Sequence, residues 1–428
     1  MADRHALRSA QTGRKALKHQ VVIVGGGAAG IAVASSLLKR RRDLDIAIIE
    51  PKDQHYYQPG WTMVGGGVFD FDFTVRSEQS CIPKRAKWIR KTATAFEPEN
   101  NAVIVDGGEQ IGYDYLIAAP GLKLNFAAIP GLQETLGENG VTSNYQPGMA
   151  TYTWKLVQGL DSGKAIFTQP PLPFKCPGAP QKAMYLAADY WRRKQRLDKI
   201  KVSFCTAAPA MFGVAAFVPA LLDYVKAYGV DANFGSTLIA VDGRAKKATF
   251  REKGADGAER EVVREFDMLH VCPPQIAADV VRNSPLADAA GFIDVDQETL
   301  RHKKFANVFG LGDACNAPNS KTAAAARKQA PIVAENLLSV IGGGAPEFIY
   351  DGYASCPLTV ARGKIVFAEF GFGGKLLPTF PAWLNENTKA TWFGWMMKAE
   401  ILPWVYWELM LAGHEWLAKP RKREAKAA

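Results

Sequence analysis

The run HQVVIVGGGAAGIAVASSLLKRRRDLDIAIIEP, residues 19–51, leaves few folds open. An apolar strand at Val21–Val24 runs into Gly25, Gly26 and Gly27, and Gly30 follows two alanines later. An alanine-rich helix from Ala28 to about Lys39 comes next, and a second apolar strand ends at Glu50. Closely spaced glycines alone are weak evidence. Placed between a buried strand and a helix, with an acid 20 residues after Gly30, they specify a parallel βαβ unit that binds a dinucleotide. Gly25 permits the tight turn, Gly27 lets a pyrophosphate approach the backbone, and Gly30 lets helix and strand pack closely. The helix N-terminus favours the diphosphate, and Glu50 accepts hydrogen bonds from a ribose.

The turn does not choose between a nicotinamide and a flavin. Two later segments bear on that choice. YDYLIAAPG, residues 113–121, reads as a strand ending at a glycine turn. KFANVFGLGDACNAPNSKTAAAARKQA, residues 304–330, reads as a buried strand, then Gly312–Asp313, then a long helix. This order resembles the two-dinucleotide-domain flavoproteins of the disulfide-reductase type. The resemblance implies an α/β fold of two Rossmann-like domains and a bound FAD. Asp313 would meet its ribityl chain, and the helix start at Lys321, Thr322, Ala323 and Ala324 would face its isoalloxazine. The FAD domain would span residues 20–120 and 295–345, with a second domain, 121–294, inserted between.

That second domain is informative for what it lacks. NADH-using relatives carry another glycine turn there. Here the strand Val202–Cys205 leads into TAAPAMFG, where Gly213 is the only glycine. Side chains at Ala207, Ala208 and Ala210 obstruct a pyrophosphate on the backbone. The expected electron donor is therefore something other than NADH.

Charge narrows the partners. The net +10 of the 428-residue chain is concentrated at its ends: residues 1–19 and 419–428 each carry +4. A nucleic-acid-binding face needs basic residues on the fold itself, so no nucleic acid is expected. Basic tails suit an anionic membrane surface, or are simply solvated. No apolar run reaches a bilayer-spanning length, and the N-terminus has no signal-peptide core.

Six cysteines without a CxxC pair, and six scattered histidines, argue against a metal site. Cys205 and Cys272 read as core or strand-end residues, Cys315 as packing, and Cys81 as a surface thiol. Cys176 in FKCPGAPQKAMY and Cys356 in YASCPLTV differ, because proline directly follows each. Both read as lying on turns outside regular structure, where exposure and nearby amides favour thiolate. A redox role follows for both, although 180 residues separate them and any partnership must come from the fold. Lys175 reads as an exposed cation in preference to a thiolate partner.

The segments KCPGAPQKAMYLAADYWRR, MLHVCPPQ, the run from Asn283 to Ala326 and YDGYASCPLTV resemble the sulfide:quinone oxidoreductases, in the branch of the mitochondrial enzyme and its bacterial relatives. The likeness runs from about residue 20 to about 415. It implies noncovalent FAD, hydrogen sulfide as electron donor and ubiquinone or a related quinone as acceptor. By motif the redox pair falls on Cys176 and Cys356, joined at rest by a disulfide or a bridge with extra sulfur. Cys356 would carry the persulfide, and Cys176 would pass electrons to the flavin. A small acceptor such as sulfite, glutathione or a second sulfide would remove the outer sulfur. FAD contacts fall on Gly26, Gly27, Glu50, Gln58, Ala93, Asp313 and 321–324. One departure is local: Ala314 separates Cys315 from the Gly–Asp pair, which leaves Cys315 without an assigned role.

Quinone lives in the bilayer, and the last 46 residues hold six of the ten tryptophans. ATWFGWMMKAEILPWVYWELMLAGHEWLAKPRKR reads as two short helical segments broken near Pro403. They suit an interfacial hairpin with Trp at headgroup depth, making the chain a monotopic protein of a bacterial or mitochondrial inner membrane. Docking on the protein, or at the interface of a homo-oligomer, is the other reading. Residues 346–418 would form this redox-cysteine, quinone and membrane region, with Phe370, Phe372 and Phe380 about an apolar pocket. An NADH:quinone oxidoreductase, the flavoprotein subunit of a flavocytochrome sulfide dehydrogenase and a non-enzymatic flavoprotein stay open as alternatives.

Overall fold

The computed structural model describes residues 17–254 and 257–424. The basic residues of 1–16 and 425–428 lie outside the described residues.

Leu17–Val24 is the central strand of a seven-stranded sheet. It pairs in parallel with Ile46–Ile49 on one side and Gln110–Ala118 on the other. Lys87–Ile89 extends the first side, and Val308–Gly310 runs parallel to Gln110–Ala118. The antiparallel hairpin Ala93–Glu97 and Ala102–Val105 closes the far edge. The all-apolar strands VVIV and IAII are buried on both faces, as a parallel sheet requires. Helix Ala28–Arg40 packs against helix Ala323–Ile341, which joins the segment after residue 300 to the first unit.

The inserted unit is a five-stranded parallel sheet in the order Val141–Thr142, Met268–His270, Gly163–Gln169, Ile200–Thr206, Asp231–Phe234. Helix Ala179–Arg193 covers it. Val281, Leu286, Ile293 and Val295 already pack in the first core, so the chain returns there earlier than the sequence boundary at 295. Where a second glycine turn would lie, Met211 and Phe212 fold inward and are buried with Phe217 and Phe370.

A third sheet pairs Ala354–Ala361 with Lys364–Phe370 and Ala390–Thr391. Here the sequence reading is corrected: Cys356 lies within a fully buried strand, not on a turn. Pro357 is tolerated because Ala354–Ala361 is the edge strand, where a missing N–H breaks no ladder. Side chains alternate along a strand, and Cys356, Leu358 and Val360 join the core beside helix Ala179–Arg193.

The C-terminal segment also differs from expectation. It is helical without a break from Trp392 to Met410, with wider π-type turns at Met397–Ile401 and Val405–Met410 on either side of Leu402–Trp404. Pro403 does not break it, because wide turns move the carbonyls that a proline ring would otherwise strike. No described helix is long and apolar enough to cross a membrane. The basic end is not a free tail: Arg421–Lys422 pairs with Phe348–Ile349, Lys422 meets Glu347 at 2.8 Å and Arg423 meets Glu298 at 2.7 Å.

Glu415 fastens this segment to the first helix, accepting from Ser36 Oγ at 2.8 Å and from both terminal nitrogens of Arg40. Arg40 Nε donates to Glu335 at 2.8 Å. Arg40→Met leaves two carboxylates short of a partner. It is expected to cost about 2 kcal/mol in urea unfolding and to speed proteolysis after residue 400.

Candidate functional site

One cleft runs from the glycine turn to the C-terminal helix. At its first end Gly25 adopts φ +105°, and a Cβ there would meet the Ala119 carbonyl oxygen at 2.4 Å. A Cβ on Gly30 would fall 1.9 Å from the Gly25 oxygen, which is the close helix–strand packing expected of it. Gly27 has nothing within 4 Å of a Cβ position, so a ligand can approach its backbone. Glu50 receives the Gly26 amide at 2.9 Å and the Lys52 amide at 3.0 Å. Glu78 lies beside this turn, and burial raises its carboxyl above the usual range.

In the middle of the cleft stand Gln58, Gly312, Asp313 and the residues Lys321, Thr322, Ala323 and Ala324. Gly312 takes φ +70°, and its amide donates to Gln329 at 2.7 Å. Burial pushes the Asp313 carboxyl up, opposed by Lys321 and Lys175. Thr322 caps the 19-residue helix Ala323–Ile341, accepting from the Ala325 amide at 3.1 Å. That N-terminus aims partial positive charge into the cleft. Ala93 opens the strand at the far edge of the first sheet and does not line the cleft.

The two sulfurs that the sequence sets 180 residues apart lie 3.9 Å from each other. Cys176 lines the cleft, while Cys356 is fully buried behind it. Cys176 adopts a left-handed backbone, φ 50°, and its amide donates to the Lys321 carbonyl at 2.7 Å. Helix Ala179–Arg193 begins three residues later, so Cys176 sits at a helix N-terminus. Gly178 lets Cys356 approach: a Cβ there would stand 2.9 Å from its Sγ and 2.3 Å from Leu358 Cδ2.

The hydrogen bond from Cys356 holds the Cys176 thiol well below the usual range. Burial opposes that shift, and the cations of Lys182 and Lys398 reinforce it. Lys182 Nζ donates to Cys176 Sγ at 3.4 Å. The same hydrogen bond, with burial, pushes Cys356 up. Cys176 is thus the more acidic thiol of the pair. Lys398 Nζ donates to the Pro59 carbonyl at 2.7 Å, and burial brings it down to about 7. Lys175 is not the exposed cation expected. It is half-buried, reaches Gln58 Oε1, lies 5.4 Å from the Trp61 ring, and is lowered by burial to about 8.

Sequence reasoning missed Lys182 and Lys398. A signal existed for both. Lys182 is the one cation in the otherwise uncharged run CPGAPQKAMYLAA, and Lys398 is the only Lys or Arg between residues 390 and 418. Phe370, Phe372 and Phe380 do not line the cleft. Phe370 packs on Phe212 and Phe372 on Tyr350, while Phe380 lies outside Phe367. The apolar end of the cleft is built by Phe367, Leu402, Val405, Tyr406 and Met410. Cys205, Cys272 and Cys315 are buried, and burial raises all three thiols. Cys81 is half-buried and raised to about 11 by burial.

A flavin dinucleotide fits these residues. The turn is open at Gly27, an acid stands one turn of sheet away, and a helix N-terminus faces the middle of the cleft. Trp61 Nε1, Thr62 Oγ1 and both amide atoms of Asn144 are buried without a protein partner, and these residues line the cleft.

Comparison with known proteins agrees with this construction. The family described as pyridine nucleotide-disulphide oxidoreductase matches residues 19–330. Mitochondrial sulfide:quinone oxidoreductase of Dictyostelium discoideum is 42% identical over 403 residues, covering 94% of this chain and 87% of that protein. The Mus musculus protein of that name is 40% identical over 396 residues, covering 92% and 87%. The solved structure of the sulfide:quinone oxidoreductase from Aquifex aeolicus, 20% identical, superposes with a TM-score of 0.78 over 94% of this chain and 93% of that one. The chain belongs to the pyridine nucleotide-disulphide oxidoreductase family, within its sulfide:quinone oxidoreductase branch.

Proposed function

We propose that this chain oxidises hydrogen sulfide at the Cys176–Cys356 pair and delivers two electrons to a membrane quinone. The observation that carries the reading is the 3.9 Å approach of those sulfurs on the wall of a dinucleotide cleft. A disulfide needs about 2.05 Å between sulfurs, so closing the bond takes a small side-chain movement and no rearrangement of the fold. From that disulfide, hydrosulfide attacks Cys356 Sγ. The new S–S bond forms a Cys356 persulfide, the old one breaks, and its electron pair leaves on Cys176. The lower-pKa thiol leaves faster, and Lys182 and Lys398 place that preference on Cys176. Burial of Cys356 favours a nucleophile as small as hydrosulfide for this first attack on its sulfur.

FAD, when bound, would accept the electron pair from the sulfur centre and pass it on to quinone. Gly25, Gly26, Gly27 and Glu50 would hold its adenosine diphosphate, with Gly30 letting the helix pack close. Asp313 and Gln58, with 321–324, would hold its central and ring portions. A sulfite, glutathione or second sulfide would take the outer sulfur from Cys356. Phe367, Leu402 and Val405 would face the quinone. Trp383, Trp392, Trp404 and Trp416 are exposed and suit headgroup depth at a bilayer surface, whereas Trp407 is buried. Filling of the inserted unit's turn by Met211 and Phe212 supports a donor other than NADH.

Anaerobic sulfide should bleach the flavin of the FAD-loaded protein without NADH. Cys176→Ser and Cys356→Ser should each lose that response and stay yellow. Bleaching by NADH with none by sulfide overturns the reading. Gly178→Val should separate the sulfurs, seen as loss of the disulfide on mild oxidation while FAD remains bound. Removing the cation that stabilises a thiolate raises the thiol pKa. Lys182→Met should therefore move the pH midpoint of Cys176 alkylation, in reduced protein, upward by about one unit or more. Lys398 titrates at about 7, so its cation acts below neutrality. Lys398→Met should slow alkylation at about pH 6 and change little at about pH 9.

A further inference from the structure

We propose that a surface groove between the first helix and the C-terminal helix binds the phosphate of an anionic phospholipid. The proposal rests on the membrane reading above and assigns a place on the protein to one lipid. The groove has a volume of about 840 Å³ and lies apart from the dinucleotide cleft. Its floor is apolar: Leu38, Ile82, Trp407 and Leu411. Its rim carries Lys39, Arg42, Lys84 and Arg85.

Among the described residues none of the four makes an ion pair, and the one side-chain hydrogen bond made by any of them is from Arg85 to the Arg42 carbonyl, at 3.3 Å. Some other surface cations are matched, as in Lys91–Glu109, Lys123–Asp279, Lys164–Glu265 and Lys422–Glu347. A fifth cation of the groove, Arg76, is already satisfied. It pairs with Glu408 at 2.8 Å and lies 4.5 Å from the Trp407 ring. Glu408 is the only carboxylate lining the groove. Four cations without an ion pair, above an apolar floor, are complementary to a phosphate that carries hydrocarbon. A free phosphate would use the rim and leave the floor wet. Trp404, 54% exposed, precedes Trp407 by three residues on the same helix, so the groove adjoins the side that would meet headgroups. Of the C-terminal basic residues, Lys422 and Arg423 already hold carboxylates of their own.

The test uses FAD-loaded protein and co-sedimentation with phosphatidylcholine vesicles, pure or doped with phosphatidylglycerol. The triple variant Arg42→Glu, Lys84→Glu, Arg85→Glu should lose at least roughly tenfold in affinity for doped vesicles. Its binding to pure phosphatidylcholine and its bleaching by sulfide should be unchanged. Lys247→Glu, Lys253→Glu and Arg260→Glu, on the exposed antiparallel sheet of the inserted unit, should leave doped-vesicle binding intact. Equal loss in that control set would make the effect one of net charge and overturn the proposal. Wild-type protein that binds both vesicle types alike overturns the groove and leaves the membrane reading standing; binding to neither removes both. Hydrogen exchange over residues 80–85 adds a local readout. Slowing by doped vesicles and not by inorganic phosphate supports the lipid, and equal slowing by phosphate overturns it.

Discussion

The hydrogen bond from the Cys176 amide to the Lys321 carbonyl, 2.7 Å long, holds the site together. Cys176 belongs to a loop of the inserted unit, and Lys321 precedes the helix that returns to the first unit. One backbone contact therefore sets the position of a sulfur against the N-terminus of that helix. Reaching it puts Cys176 at φ 50°, a left-handed conformation that costs a non-glycine residue about 1–2 kcal/mol. The surrounding structure over-determines that conformation. Ala179 donates to the Cys176 carbonyl at 2.7 Å, and Lys175 donates its own amide to Gln275 at 3.0 Å. With the loop fixed, Gly178 is the residue whose missing side chain admits Cys356.

Electrostatics follow from the same placement. Lys182 and Lys398 are both almost fully buried, and a buried ammonium is costly without an opposing charge. Neither has a carboxylate partner among the described residues. The only anion that the arrangement offers them is a thiolate at Cys176, so the cost of burying the lysines and the ionisation of that thiol offset each other. Lys182 is raised by the two sulfurs despite burial, whereas Lys398, with Lys182 as a like-charged neighbour, falls to about 7. The pair of lysines is thereby graded, one firmly cationic and one poised near neutrality.

Local patterns carried much of the fold. The strand–glycine–helix unit and the acid at position 50 were readable because each glycine answers a steric demand within a few residues of itself. The absence of a second glycine turn was readable for the same reason. The strand state of Cys356 was not, because a proline suggests a turn unless the strand is known to be an edge, and edges are set by distant pairing. Pro403 misled in the same way, since wide helical turns are a property of the packed helix. The phenylalanines at 370, 372 and 380 were assigned to a pocket by type alone, and tertiary packing spent them on other cores. Lys182 was visible as a lone cation in an uncharged run and Lys398 as the one Lys or Arg of its segment, but only the fold reveals that both converge on one sulfur.

That convergence bears on what the C-terminal helix is for. It carries exposed Trp392 and Trp404 outward, yet it also supplies Lys398, Leu402, Val405 and Tyr406 to the cleft. Tyr406 continues inward: its hydroxyl meets His55 Nε2 at 2.7 Å, and His55 Nδ1 meets Glu78 at 3.2 Å, beside the glycine turn. A helix that only anchored the protein would need none of these contacts, and an amphipathic surface segment would keep its polar residues in water. Here Lys398 points into the protein with Tyr406 and Trp407, while Trp392 and Trp404 point out alongside Glu400 and Glu408. The segment is a wall of the site, so an apolar oxidant approaching from a lipid surface would reach the cleft through the same element that would face that surface.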